Sequence, residues 1–566
     1  MKKSISILIV VVMIFGLVLS GCSNSTTSNS TPVDDNSNNE VSKDNKEQPK
    51  DEQVLNLEFA DDMSSLNSTT MAESYANTII METQEMLVRM EGGSLKPAGA
   101  ESWTTSEDGL KWTFKLRDFN WSDGTKVKAQ DYAYAVQKML DPTNACPNSA
   151  MFYFIKGAKE YNTSTGKAED VSVKALDEKT VEFTLNYPVP YFLQLMNFAN
   201  IVPVRKDIYE ACGDTYGQDE SKMIFSGPFV VKKWVKGSKI ILEKNENYWD
   251  ADKVKLQTAI INIVKEEPTK MKMFSTKNLD LVTEVKGEYN NVLREKSEAK
   301  EITAVEGYSP RSAEIIFNTQ DKSGFFTNPK IRLAFSLAID RDAYIKNIAK
   351  EDVAAYGWVP RALLLEDKEY RDVVDGPLKA VLDKDPKKLY LEGLKELGLD
   401  ESKEQEVTFL LRNSSTKERS KGEFYQDQWE KKLGVKVNVD VASDNATFNQ
   451  SVMKGTYQIC QSGWGADYND PMNFLEMFET GCGNNGPFFS NEEYDALIDK
   501  ARKEGSRDKR FEIFENAEKI LIAEQAAIAP ISYAKKSSYI QNYVKGIELP
   551  SFGPKFELKN TYIEGK

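Results

Sequence analysis

Two hydrophobic periods take turns along this chain, and their interleaving constrains its fold more than any other feature. In "LKWTFKLRDFNWSDGT" (110–125) Leu110, Trp112, Phe114 and Leu116 alternate with other residues, the period of a half-buried strand. Asp123-Gly124 then signals a turn. "KTVEFTLNYPVP" (179–190) repeats the period with Val181, Phe183 and Leu185. Helical spacing follows. "NPKIRLAFSLAI" (328–339) offers Asn328 as N-cap and Pro329 at the first helical position. "SNEEYDALIDKA" (490–501) has Ser490 and Glu493 in capping-box spacing and sets Tyr494, Leu497, Ile498 and Ala501 on one face. Strand and helix patterns interleave with no internal repeat, so the class is α/β or mixed. A chain of 566 residues exceeds one ordinary core, and two or three domains are expected.

The folded body begins near Val54. Ahead of it, "MKKSISILIVVVMIFGLVLSGC" (1–22) runs from Lys2 and Lys3 through an apolar stretch to small residues, the shape of a secretory signal. The stretch is short for a spanning helix, which needs ~20 apolar residues. Its end, "LSGC", resembles the lipobox of bacterial lipoproteins. That resemblance implies cleavage after residue 21 and a diacylglyceryl anchor on Cys22; the competing reading is an uncleaved anchor helix. Losing Lys2 and Lys3 takes the formal charge from -14 to -16. Residues 23–52 are Ser, Asn, Asp and Lys with almost nothing apolar, too polar to fold, and read as a flexible tether. The expected location is the outer face of the cytoplasmic membrane, held by lipid.

Composition removes several chemistries. The acidic balance argues against a nucleic-acid partner. Histidine is absent, which excludes Ser-His-Asp and Cys-His nucleophiles, His-ligated zinc and an imidazole switch. Phosphate-cradling loops and Cys-x-x-Cys pairs are also missing. No cofactor and no metal are expected. Carboxylate-pair hydrolysis survives, because Asp and Glu suffice for it.

One stretch invites a binding reading. "SGWGADYNDP" (462–471) sets Asp467 between Trp464 and Tyr468. A core would not take the charge and a surface loop would not need the indole. A pocket for a cation would use both.

Several blocks together resemble one family: "AESWTTSEDGLKWTFKLRDFNWSDGTKVKAQDYAYAVQKMLDP" (100–142), "PVPYF" (188–192), "SGPFVVKKWVKGSKIILEKNENYW" (226–249), "NPKIRLAFSLAIDRD" (328–342) and "GWGADYNDPMNFL" (463–475). In this order the chain is similar to family 5 extracellular solute-binding proteins of ABC importers, in its last block to the oligopeptide-binding branch. The resemblance implies an α/β, two-lobed periplasmic-binding-protein-like fold (type II, cluster C) with an extra domain in the first lobe. The expected division is a signal at 1–21, an anchor and tether at 22–52, a discontinuous domain I at 53–92, 225–310 and 530–566, an inserted domain II at 93–224, and domain III at 311–529. Trp121 to Gly124 and Asn245 to Trp249 read as structural, a turn and a packed strand end.

The resemblance also implies roles. Asp467 of the "ADYN" motif is expected to pair with a peptide's α-ammonium. An unpaired ammonium in a closed cleft is costly, so the physics points the same way. The competing role, capping the turn at Pro471, suits Asp470 better. Gly463, Trp464, Gly465 and Ala466 are expected to form a strand edge that pairs with peptide backbone, which every peptide offers alike. Tyr468 and Asn469 complete that segment. Glu73, Ser74 and Tyr75 are candidates from the other lobe. Asn148 stands where relatives place a ligand-facing tyrosine, and Tyr533 where they have pocket aromatics. Two departures matter. Gln461 and Ser462 replace the basic residue that in some relatives reaches the peptide's C-terminus. Gly465 replaces a cysteine that some relatives bridge. Cys146, Cys212, Cys460 and Cys482 allow three pairings, and Cys460 with Cys482 would flank the Asp467 loop; four free thiols are the competing expectation.

The expected function is capture of oligopeptides and delivery to a membrane ABC permease, by a monomer that is not an enzyme. Other ligands on the same fold (a nickel complex, a sugar, a signalling pheromone) stay open, as does, more distantly, a secreted carboxylate-pair hydrolase.

Overall fold

The computed structural model describes residues 52–566 apart from Ala72. The signal, Cys22 and nearly all of the tether lie outside the described residues.

Alternation builds a first sheet from distant pieces of chain. Val54–Phe59 buries Leu55, Leu57 and Phe59 and pairs in parallel with Thr258–Ile263. Lys239–Lys244 and Phe229–Val235 add antiparallel to the far side. A second four-stranded, antiparallel sheet holds Ala100–Thr105, Lys111–Leu116, Thr180–Thr184 and Val173–Asp177 in that order. Phe114, Leu116, Val181, Phe183 and Leu185 are buried there as the period predicts. The turn at Asp123-Gly124 forms, with Gly124 at φ 85° and its N–H donating to the Trp121 carbonyl. Asn245 ties the strand end down by donating from Nδ2 to the Gly227 carbonyl (2.8 Å).

The third sheet is mixed, with Leu281–Val282, Ile528–Gln541, Ile302–Phe317, Ile459–Gly465, Glu406–Leu411 and Lys436–Val441 in spatial order, and Val353–Ala354 on Ile528–Gln541. Its two long strands, Ile302–Phe317 and Ile528–Gln541, pair antiparallel along their length, with register shifts between Tyr308 and Ser312 and between Ala313 and Glu314. Both run past the positions, near 310 and 530, at which the resemblance would divide the chain into domains. Ile315 and Phe317 enter a core with Phe335, Tyr425 and Trp429, while Ile316 faces the opposite core.

The helix at Pro329–Ala338 starts as its sequence predicts: Asn328 Oδ1 accepts from the N–H groups of Lys330 and Ile331, and Pro329 takes the first position. The helix Glu492–Lys503 corrects the reading of its start. Asn491, not Ser490, is the N-cap and accepts from the Tyr494 N–H (2.9 Å), so the capping box does not form. Among the described residues no helix is long and apolar enough to cross a membrane. All four cysteines from Cys146 onward are free thiols, so no bridge spans the Asp467 loop.

Candidate functional site

The strand Ile459–Gly465 carries the segment singled out in the sequence. On one side it pairs with the long strand, from Arg311 opposite Gly465 to Phe317 opposite Ile459. On the other it pairs with Glu406–Leu411 only at Ile459 and Cys460. From 461 to 465 that second edge carries no strand. Gly463 is glycine for a local reason, since a Cβ there would stand 2.9 Å from the Ser312 carbonyl oxygen. Just beyond the strand, Asn473 fixes the turn. Its Oδ1 accepts from the Trp464 indole N–H (2.9 Å) and from the Asp467 backbone N–H (3.2 Å). Ala466 donates to the Pro310 carbonyl (2.9 Å).

Asp467 itself stays open to a cavity of about 630 Å³. Four carboxylates line that cavity, Glu369, Asp467, Glu548 and Glu557, and no lysine or arginine does. Glu369 has Arg361 (3.3 Å), Glu557 has Arg89 (3.0 Å) and Glu548 accepts from the Gly92 N–H (3.0 Å). Among the described residues no cation pairs with Asp467. The protein packed around it pushes its carboxyl above the ordinary aspartate range, and the Asn473 side chain pulls part of the way back. Asp470, three residues on, has the structural role. It grips Arg510 with both oxygens (2.8 and 2.9 Å) and accepts from the Met472 N–H (2.9 Å), so the turn-capping duty falls to it.

The neighbours wall the cavity. Tyr468 is buried, stacked on Tyr191 at 4.6 Å and 13°, with its hydroxyl donating to Glu476 (2.7 Å). Asn469 Oδ1 accepts from the Leu364 N–H (2.8 Å), and Asn469 lines the cavity beside Tyr468.

Further cavities continue from this one through shared residues. Gly307 joins it to a space of about 670 Å³ lined by seven lysines and arginines against five carboxylates. Arg311, Asp352 and Ala534 join that to a third of about 430 Å³ on the strand edge. Arg412, Ser462, Gly463 and Trp464 join the third to a fourth of about 810 Å³. The two faces of the unpaired edge thus each open onto a cavity. The charge of the lining changes sign between the Asp467 end and the middle of the series.

Other expected residues lie elsewhere. Glu73 is the N-cap residue of Ser74–Thr83 and its carboxylate accepts from the Ser64 N–H, and Ser74 is exposed; neither lines a described cavity. Tyr75 packs against Phe59 with rings tilted by 32° (centroids 4.6 Å apart) and borders a separate space of about 380 Å³ that meets the second cavity at Glu284 and Lys286. Asn148 and Tyr533 line none of the cavities described above and hold protein partners. Asn148 Nδ2 donates to the Met71 carbonyl and to Asn200 Oδ1 (3.2 and 3.0 Å). The buried Tyr533 hydroxyl is spent on both the N–H and the carbonyl of Gly357 (3.2 and 2.9 Å). Sequence reasoning missed Asn473, which stands inside the quoted block 463–475 without being singled out, and Glu369, Glu548, Glu557, Arg311 and Arg412, which sit in no local pattern. Among the described residues no cluster of acidic or cysteine side chains is placed to hold a metal ion.

Comparison with known proteins places this geometry. Residues 94–486 match the model for bacterial extracellular solute-binding proteins, family 5. The oligopeptide-binding protein of Bacillus subtilis is 33% identical over the whole of both chains. The peptide-bound structure of the Listeria monocytogenes OppA protein is similar at TM-score 0.70 and 30% identity, covering 91% of this chain and 99% of that one. The murein tripeptide binding protein of Escherichia coli is similar at TM-score 0.71 and 26% identity, over 91% and 99%. These neighbours are two-lobed and of mixed α/β content, as this chain is.

Proposed function

This chain belongs to the family 5 bacterial extracellular solute-binding proteins, and from that premise we propose that it binds oligopeptides between its lobes for an ABC permease. The observation that carries the reading is the cavity at Asp467: four carboxylates, no lysine or arginine, and two acids, Asp467 and Glu548, with no cation among the described residues, of which Asp467 lies at the end of the unpaired edge. A peptide's one obligatory cation is its α-ammonium. Asp467 follows the end of the unpaired edge by two residues, within roughly 7 Å of chain. A peptide whose ammonium meets Asp467 therefore runs antiparallel along 461–465, its amides completing the open ladder. Its side chains then point alternately into the third and fourth cavities. Its C-terminus travels away from the acidic end, past Arg311 opposite Gly465 and toward Arg412.

The role is binding and not catalysis. Domain I, domain II and domain III keep the limits given above. Lipid anchoring at Cys22 and action as a monomer complete the reading. Mass spectrometry of ligand released from the purified protein, before and after incubation with defined oligopeptides, tests it. Intact bound peptides are expected. Peptide fragments would favour a hydrolase, and a non-peptide solute with no uptake of peptide would refute the reading.

A further inference from the structure

The fourth cavity, beneath Trp464, has chemistry that backbone capture does not use. Resting on the peptide-binding reading, we propose that it is a side-chain subsite selecting a lysine or arginine of the peptide, whose cation is received by Glu314.

The geometry comes from the pleat. Along Ile302–Phe317, Ser312, Glu314 and Ile316 share one face, and opposite them Trp464, Ser462 and Cys460 share the same face of the next strand. Glu314 and Ile316 line the cavity of about 810 Å³. A Cβ on Gly486 of the far wall would meet the Ile316 side chain at 3.2 Å, so this face does turn toward the cavity. Phe448, Val452, Met477, Phe478 and Phe488 supply apolar walls. Glu314 is 2% exposed, and one of its oxygens, Oε2, has no hydrogen-bond partner. The Ser462 side chain serves the carboxyl, and burial pushes its pKa well above the glutamate range. An unpartnered acid at the base of an apolar slot lacks a donor, and the incoming strand can bring one.

Reach decides which donor. An added strand on the open edge lies two strand spacings, about 9–10 Å, from the strand that carries Glu314. Alanine, serine or valine falls short. A long aliphatic stem ending in a cation crosses the apolar wall and ends at the acid. The other titratable groups facing Glu314 are Arg412, Cys460 and Tyr457. Arg412 acts on Glu314 through its charge but makes no hydrogen bond or ion pair with it, and burial outweighs that effect. Its guanidinium lies 4.2 Å over the Phe448 ring and bonds to Asn449 Oδ1 (3.3 Å). Cys460 and Tyr457, both buried, are held in their neutral forms.

The linkage has a sign. Burial raises the Glu314 carboxyl in the empty cavity, and a bound cation favours its ionised form. Over the pH range in which the empty carboxyl holds its proton, binding of a basic peptide releases one and affinity rises with pH.

The experiment titrates the full chain with oligo-alanine peptides that carry lysine, norleucine or glutamate at one position, walked along the peptide. At the position that enters the cavity, lysine should bind about ten- to a hundredfold tighter than norleucine. Glu314→Gln should abolish that preference and leave the norleucine peptide unaffected. Titration of the unaltered protein in buffers of unlike ionisation enthalpy should show proton release with lysine and none with norleucine, and it does not depend on the variant folding. A lysine-to-norleucine ratio that survives Glu314→Gln, a preference for glutamate, or binding of lysine without proton release overturns the subsite. If the norleucine peptides bind and no lysine preference appears, the subsite alone falls. If no peptide binds, the peptide-binding reading falls and takes the subsite with it.

Discussion

Replacing Asp467 by asparagine separates a ligand-binding acid from a turn residue. In the empty protein Asp467 has no ion pair and remains open to its cavity, so the fold loses no cation contact. The surrounding protein raises its carboxyl pKa, which means the folded state binds its proton more tightly than the unfolded state does. Its effect on stability is therefore favourable at low pH and is lost as pH rises from the unfolded pKa through the folded one. At neutral pH the asparagine variant should melt at or slightly above the parent temperature. Binding should respond in the opposite way. With the cleft occupied, the carboxylate and the peptide ammonium lose water together. Truncating one partner of such a pair costs ~2–5 kcal/mol, which is roughly 30- to several-thousand-fold in affinity. An exposed pair would give only ~0.2–1 kcal/mol. The three other carboxylates around the cavity add to the attraction for the ammonium and keep the loss from reaching the top of the range. N-acetylating the peptide removes the same pair from the other side, so the two losses should not add. Isothermal titration of both proteins with both peptides closes the cycle. If Asp467→Asn and the acetylated peptide each bind within a few-fold of the parent pair, the ammonium does not sit at Asp467.

Asp470→Asn should do the reverse: it breaks the buried pair with Arg510 at a cost of ~3–5 kcal/mol, read in urea melts, and a variant as stable as the parent would refute that structural role. Tyr533→Phe leaves the Gly357 amide and carbonyl short of a partner and should cost ~1–3 kcal/mol of stability without changing peptide affinity; an affinity loss in a folded variant would restore Tyr533 to the site. Thiol labelling of the denatured, unreduced protein should find Cys146, Cys212, Cys460 and Cys482 all reactive, and fewer would mean a bridge. Cys22→Ser should stop lipid processing and membrane retention, and normal processing of that variant would remove the anchor from the account.

Much of the architecture is legible because its signals are local. Period-two alternation at 110–116 and 181–185 needs only neighbours in sequence, and so does the Asn328-Pro329 helix start. The helix start at 490–492 is misread by one residue because Ser490 and Asn491 are both competent caps, and geometry chooses between them. The site is legible only where one stretch carries it. Asp467, Trp464 and the glycines around them are adjacent in sequence, so one window displays them together. The remaining acids of the cavity come from Glu369, Glu548 and Glu557, and Glu557 meets Arg89 across 468 positions. No window of sequence holds both ends of such a contact. Asn148 and Tyr533 were placed by resemblance, which transfers position along the chain but not the direction of a side chain. Glu314 gives no signal at all, since one glutamate in "AEIIF" resembles any strand-edge residue until its burial is known.

The long strand Ile528–Gln541 has a consequence for the order of synthesis. It lies inside the mixed sheet, against Leu281–Val282 on one side and Ile302–Phe317 on the other, yet it is made long after both of them. Until it leaves the ribosome, Ile302–Phe317 lacks the ladder along which it pairs at both ends. Arg89 and Glu82, buried in the opposite lobe, likewise wait for the carboxylate of Glu557 and the amide of Leu558. Neither lobe can close its interior on a partial chain. A growing polypeptide of this design stays unfinished until these late segments emerge, and any factor that must handle it unfolded has that time in which to act.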